Sequence, residues 1–116
     1  MTSEPIPGEA RIRTLTRTDI PAALQLSTLA GWNQTADDWH ILLHLAPNGC
    51  LAVEVDQQIV ATATLLCYGD RLAWIGMVLT HPEHRHRGYA KQLFAHLLAA
   101  ANMLGVRTLK LDATMG

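Results

Sequence analysis

The sequence predicts an α/β (α+β) fold on one mixed sheet, with element order β-α-α-β-β-β-α-β. Three observations carry that prediction. Residues 71–80 are nearly continuous in apolar side chains, as expected of a central strand. From Gly88 onward Ala90, Leu93, Phe94, Leu97, Leu98, Ala101 and Leu104 recur at helical spacing, with Gly105 to close the helix. Residues 108–114 then alternate, placing Leu109, Leu111 and Ala113 on one face and Lys110, Asp112 and Thr114 on the other. Strand, helix and strand make one crossover unit, so the two strands are expected to be parallel neighbours.

The remaining elements follow in order. Residues 1–10, with Pro5, Pro7 and Gly8, read as a flexible leader, and residues 11–116 as a single domain. A short strand over 11–15 meets Thr16-Arg17-Thr18-Asp19, where a helix starts. Thr18 is the expected cap, and Pro21 is tolerated because it lies in the first turn. Ile20, Ala23, Leu24 and Ser27 form the buried stripe of that helix, which Gly31 ends. A second helix begins at Thr35, with Asp38 in capping-box position and Trp39, Leu42, Leu43 and Ala46 as its apolar face. Pro47-Asn48-Gly49 stops it. Residues 50–55 form a strand, 56–58 a turn and 59–68 a long strand, and Gly69-Asp70 is a hairpin signal of the primed-turn kind.

Composition narrows the function classes. Apolar residues make up 49% and charged residues 16%, with a formal net charge of -1, so neither a disordered chain nor a protein coating nucleic acid through net charge fits. Any anion site has to be a local patch. No run approaches the roughly 20 apolar residues of a membrane span, and residues 1–12 hold no apolar signal segment. Cys50 and Cys67 form no CxxC, which fits reduced thiols in a cytoplasm. Both read as small core residues, as do Trp39 and Trp74. His81, His84 and His86 share one loop, and His40 and His44 stand four apart on a helix. Neither group has the converging cysteines or carboxylates that zinc requires, so no metal site is expected.

The chemistry concentrates where the central strand runs into the long helix. Arg85-His86-Arg87-Gly88-Tyr89-Ala90 puts small residues at a helix start, where backbone N–H groups lack partners and the dipole is positive. Gly88 lets a ligand approach the backbone, Ala90 keeps the first turn open, and Arg85 and Arg87 add charge. These are the features of a pyrophosphate cradle. No Gly-Lys-Ser/Thr follows, and GxGxxG is absent, so it is neither a Walker A loop nor a Rossmann fingerprint.

Arg85-x-x-Gly88-x-Ala90 resembles the Q/R-x-x-G-x-G/A signature of the GNAT acetyltransferase superfamily. Trp74-Ile75-Gly76-Met77-Val78-Leu79-Thr80-His81-Pro82 is similar to that family's fourth strand entering its loop. The resemblance spans residues 11–114, with the element order in agreement. It implies acetyl-CoA as donor, its pantetheine arm along Val78, Leu79 and Thr80. The pyrophosphate would then sit over Arg85, His86, Arg87, Gly88, Tyr89 and Ala90. It also implies a strand bulge near Met77 and Val78 that opens a cleft, with a backbone N–H near Val78 polarising the thioester carbonyl.

The reaction so implied is acetyl transfer to an amine of a small-molecule or peptide acceptor, with neither nucleic acid nor membrane as partner. Trp32, between the first two helices, reads either as a wall of the acceptor pocket or as a packing residue. The family's acid is commonly a Tyr on a helix after the fifth strand. The sequence ends at Gly116, ahead of that helix and of the last two strands, so the fold is expected to be C-terminally incomplete. Tyr68 and Tyr89 do not occupy the acid position, and no acid is assigned. Asp112 is a candidate catalytic carboxylate, its other reading being a solvated strand end. An uncovered strand over 108–114 implies a homodimer burying that edge. The alternative function is an acyl-CoA-binding fragment or regulatory module without turnover. A general anion or nucleic-acid binder using residues 81–87 is set aside, because its charged footprint is too small.

Overall fold

Reciprocal bonds start the second helix. Asp38 N–H donates to the Thr35 hydroxyl at 3.2 Å and Thr35 N–H to the Asp38 carboxylate at 2.8 Å, closing the expected capping box. The first helix starts differently from expectation, because Thr18 does not cap it. The Asp19 carboxylate accepts from Thr16 N–H at 2.8 Å and from the Thr16 hydroxyl at 3.0 Å. A single 3-10 turn, Arg17–Asp19, therefore precedes the α-helix. Thr16 and Asp19 have the same three-residue spacing as Thr35 and Asp38, and that spacing prevails over proximity to Pro21.

The computed structural model describes residues 9–69 and 72–111. The leader up to residue 8, Asp70 of the hairpin signal, and Asp112, Ala113 and Thr114 lie outside the described residues. The elements are β1 (Ala10–Thr14), α1 (Ile20–Leu29), α2 (Ala36–Leu45), β2 (Cys50–Val55), β3 (Gln58–Tyr68), β4 (Leu72–Thr80), α3 (Tyr89–Met103) and β5 (Thr108–Leu111). Their order is the expected one. The β2–β3 turn is tighter than expected. Asp56 and Gln57 both take positive φ (50° and 67°), as a primed two-residue turn requires, while Gln58 pairs with Val55.

The sheet order is β1-β2-β3-β4-β5, antiparallel as far as β4, with β4 and β5 parallel from Leu72 opposite Thr108 to Ile75 opposite Leu111. Alternation along the strands then assigns the two faces. Val53, Val55, Ala63, Leu65, Ala73 and Ile75 pack with Leu93, Leu97 and Ala101 of α3. Cys50, Ala52 and Leu79 pack with Ile20, Ala23 and Leu26 of α1 and Trp39 of α2. The result is a helix on one face and a helix pair on the other. Leu26 is buried where the sequence suggested Leu24, which is only partly covered.

Two expectations about the core are corrected. Cys67 is exposed, because the end of β3 runs past the helices that cover its middle. Trp74 is only partly buried, since it looks into a cleft described below. Cys50, by contrast, is fully buried, and burial pushes its thiol up to about 11.

Arg13 ties β1 to the start of α1 and to β2. Its guanidinium makes two bonds to the Asp19 carboxylate, at 2.7 and 3.0 Å, and two to Glu54 Oε1, at 3.0 and 3.2 Å. The Arg13 hydrogen bonds hold the Asp19 carboxyl below its usual range, against the opposing effect of burial.

Candidate functional site

The site begins with a defect in the sheet. Gly76 pairs with Thr64 and Leu79 with Thr62, so three steps along β4 oppose two along β3. The extra residue is a bulge at Met77–Val78, where the family resemblance implied one. Met77 takes φ +50°, an uncommon conformation for a residue other than glycine. Two buried hydroxyls bond to backbone carbonyls at the bulge. Thr62 Oγ1 donates to Met77 O at 2.8 Å, and Thr64 Oγ1 donates to Gly76 O at 3.0 Å. Sequence reasoning did not single out this threonine pair. Its signal was there, as two hydroxyls two residues apart in an otherwise apolar strand.

Beyond β4 the chain turns through a short loop. His81 N–H donates to Val60 O at 2.7 Å, and His81 Nδ1 accepts from Glu83 N–H at 3.1 Å, fixing the 3-10 turn Pro82–His84. His86 (φ +67°) and Gly88 (φ +78°) then bend the backbone into α3. No side chain caps this helix and no acidic residue stands in its first turn. Gln92 N–H reaches Gly88 O at 3.0 Å, which leaves the N–H groups of Tyr89, Ala90 and Lys91 with no carbonyl in their own helix. A Cβ on Gly88 would meet no atom within 4 Å, so the space above it is open.

These parts border one cleft of about 580 Å³. Val78, Leu79 and Thr80 line it from the strand, and Arg85, His86, Gly88, Tyr89 and Ala90 from the loop and helix. Leu29, Ala30 and Trp32 line it from the end of α1. Of the residues the sequence assigned to the donor, only Arg87 is not in the lining. Its guanidinium turns to His84 Nδ1 at 3.4 Å, and it is His84 that lines the cleft. Lys91 also lines it and was missed, although it sits in the first turn, three residues after Gly88. Among the described residues the lining holds Arg85 and Lys91 and no carboxylate, so with the open N–H groups it favours an anion.

A second cleft, of about 430 Å³, is lined by Met77, Gly76, Thr64, Leu66, Tyr68 and Trp74 of the sheet and by Leu42, Gln34 and Trp32. Trp32 lines both clefts, and it also packs against the α1–α2 core cluster. The end of α1 sets its position. Gly31 (φ +80°) lets Trp32 N–H turn back to Ser27 O at 2.9 Å while Gly31 N–H reaches Thr28 O at 3.0 Å. Trp74 stands in the second cleft with the Lys110 ammonium 5.4 Å from its ring centre.

Asp112 lies outside the described residues, so its place relative to the clefts is not part of this geometry. Among the described residues, no three His, Cys, Asp or Glu side chains form a group that could hold a metal ion. Nor is any helix among them long and apolar enough to cross a membrane.

Sequence and fold comparisons agree on the same group of proteins. The model of the acetyltransferase (GNAT) family matches residues 14–116. A Xanthomonas campestris protein assigned to the GNAT family is 25% identical, with TM-score 0.76, over 94% of this chain and 78% of its own. A Pyrococcus horikoshii protein assigned as an acetyltransferase is 24% identical, with TM-score 0.82, over 99% of this chain. The N-acetylglutamate synthase of Neisseria gonorrhoeae, crystallised with coenzyme A and L-arginine, is 20% identical, with TM-score 0.73, over 95% of this chain. The chain spans 42% of the Pyrococcus protein and 25% of the Neisseria enzyme. No curated protein gives a significant match. With the family model matching nearly the whole chain, and the bulged strand and open helix start where that family's signature falls, the chain belongs to the GNAT acetyltransferase family.

Proposed function

We propose that the protein transfers the acetyl group of acetyl-CoA to an amine. One observation carries the reading: the open N–H groups of Tyr89, Ala90 and Lys91 meet the same cleft that the bulged end of β4 borders. A diphosphate fits there on charge and on space, since among the described residues no carboxylate lines the cleft and Gly88 leaves its approach clear. When bound, acetyl-CoA supplies the acetyl group as a thioester. The N–H groups and Arg85 would hold its pyrophosphate, beside His86, and the edge of Val78, Leu79 and Thr80 would hold its pantetheine arm. The bulge would offer the Val78 N–H to the carbonyl on which negative charge develops. Arg87 contributes through His84, which it orients. Asp112 remains the candidate carboxylate for the amine proton. The acceptor amine arrives through the second cleft, past Trp32.

The reading of the donor site as coenzyme A is supported by the complex of the Neisseria enzyme. A donor-binding module without turnover is the second reading, since the described geometry assembles a donor cleft and assigns no acid. Self-association through the β5 edge belongs to the same proposal, since β5 ends the described sheet and Leu111 on it is 51% exposed. Release of free CoA thiol from acetyl-CoA, followed with a panel of amines, tests the function. Amine-dependent release supports transfer. Binding of acetyl-CoA without release under any amine supports the second reading instead.

A further inference from the structure

We propose that the acceptor is a primary monoamine carried on an aromatic or branched apolar body, seated between Trp32 and Trp74. This rests on the transfer reading above and names the substrate class of its acceptor cleft. The walls of that cleft are Trp32, Leu42, Leu66, Tyr68, Trp74 and Met77. Beside the aromatic N–H and O–H groups it holds Gln34 and Thr64, and the Thr64 hydroxyl proton is already given to Gly76 O at 3.0 Å. Among the described residues no charged side chain lines it.

That lining discriminates by charge. A polyamine or a basic peptide would bring a second ammonium group against walls that, among the described residues, hold no carboxylate to receive it, at a cost in desolvation. The charge that the structure does place beside the lining has the wrong sign, for Lys110 Nζ lies 5.4 Å from the Trp74 ring centre. An aromatic body instead gains contact with two indoles and a phenol. The volume of about 430 Å³ is within the range of small-molecule sites. The same apolar surroundings favour the neutral amine over its ammonium form, and only the neutral form can attack. The geometry also delivers it. Met77 lines this cleft, its neighbour Val78 lines the donor cleft, and Trp32 lines both, so an amine at the inner end stands beside the bulge.

The test compares thiol release from acetyl-CoA with 2-phenylethylamine and with spermidine, alongside calorimetric binding of acetyl-CoA. The expected result is a kcat/KM at least about tenfold higher for 2-phenylethylamine. Trp74→Ala should raise its KM about tenfold while leaving acetyl-CoA affinity unchanged. Tyr68→Glu, at a residue 52% exposed, should shift the preference toward spermidine without disturbing the fold. Equal or better use of spermidine by the unaltered protein, with acetyl-CoA bound, overturns the proposal. If acetyl-CoA binds but neither amine is acetylated, quenching of tryptophan fluorescence by 2-phenylethylamine and not by spermidine sustains the proposed site, and no quenching overturns it. Failure to bind acetyl-CoA at all defeats the transfer reading itself, which separates the two failures.

Discussion

The Thr62 hydroxyl donates to the Met77 carbonyl at 2.8 Å and so ties β3 to the residue of β4 that turns to φ +50°. Thr62 is fully buried. Thr62→Val keeps the shape and removes one hydrogen bond to the Met77 carbonyl, which costs about 0.5–1.5 kcal/mol. The variant should melt several degrees lower and lose acetyl transfer beyond its loss of fold, whereas Thr62→Ser should retain both. A thermal melt of Thr62→Val that overlays the unaltered protein would remove the hydroxyl from the account of the bulge.

The first cleft, proposed above to take the donor, separates two arginines that the sequence treated alike. Arg85 lines it and Arg87 does not. Exposed cations on a phosphate are screened and worth on the order of 1 kcal/mol, or roughly fivefold in affinity. Arg85→Ala should weaken acetyl-CoA binding by about that factor, and Arg87→Ala by less. Calorimetry that finds Arg87 the more costly of the two contradicts this placement.

Much of this was legible in the sequence, and the parts that were not share a cause. Local signals are short-range chemistry, so the element order, the Thr35–Asp38 box and the open start of α3 could be read directly. The bulge was accessible only through the family resemblance. What escaped depends on which distant residue lies opposite. Period two assigns Trp74 to a face of the sheet but does not say that a cleft, rather than α2, covers it there. The threonine hydroxyls gain their meaning from the β3–β4 register. Thr18 stands nearer the first helical residues, yet Thr16 has an acid at the spacing that reciprocates.

Stability should depend on pH through Asp19. Its carboxyl is held below the usual value, chiefly by the Arg13 hydrogen bonds. A group depressed in the folded state adds stability above its unfolded value of about 3.9, and that stability is lost as pH falls through the folded value. Asp19→Asn should therefore be clearly less stable than the unaltered protein in urea at pH 7. The gap should narrow progressively below about pH 4. A gap that stays constant down to pH 2 would mean that shape, not charge, accounts for the effect.

Gly49 is held against β3, with Leu65 N–H donating to Gly49 O at 2.8 Å. A Cβ there would collide with the Leu65 carbonyl oxygen, which is backbone and cannot swing aside. Gly49→Ala should destabilise by about 1–3 kcal/mol, as overpacking does. Chemical denaturation is the measurement, and an unchanged midpoint would show that β2 and β3 can separate there at no cost.

The central claim is that the backbone at the start of α3 holds the donor. Its most direct test is calorimetric titration of acetyl-CoA into the unaltered protein and into Gly88→Val, with thermal melts to confirm that both are folded. The variant puts a branched side chain into space that no atom of the chain occupies within 4 Å of a Cβ. The account predicts binding to the unaltered protein and a loss of at least tenfold in the variant, larger than for either arginine. Equal affinity in the two folded proteins would contradict it and place the donor elsewhere.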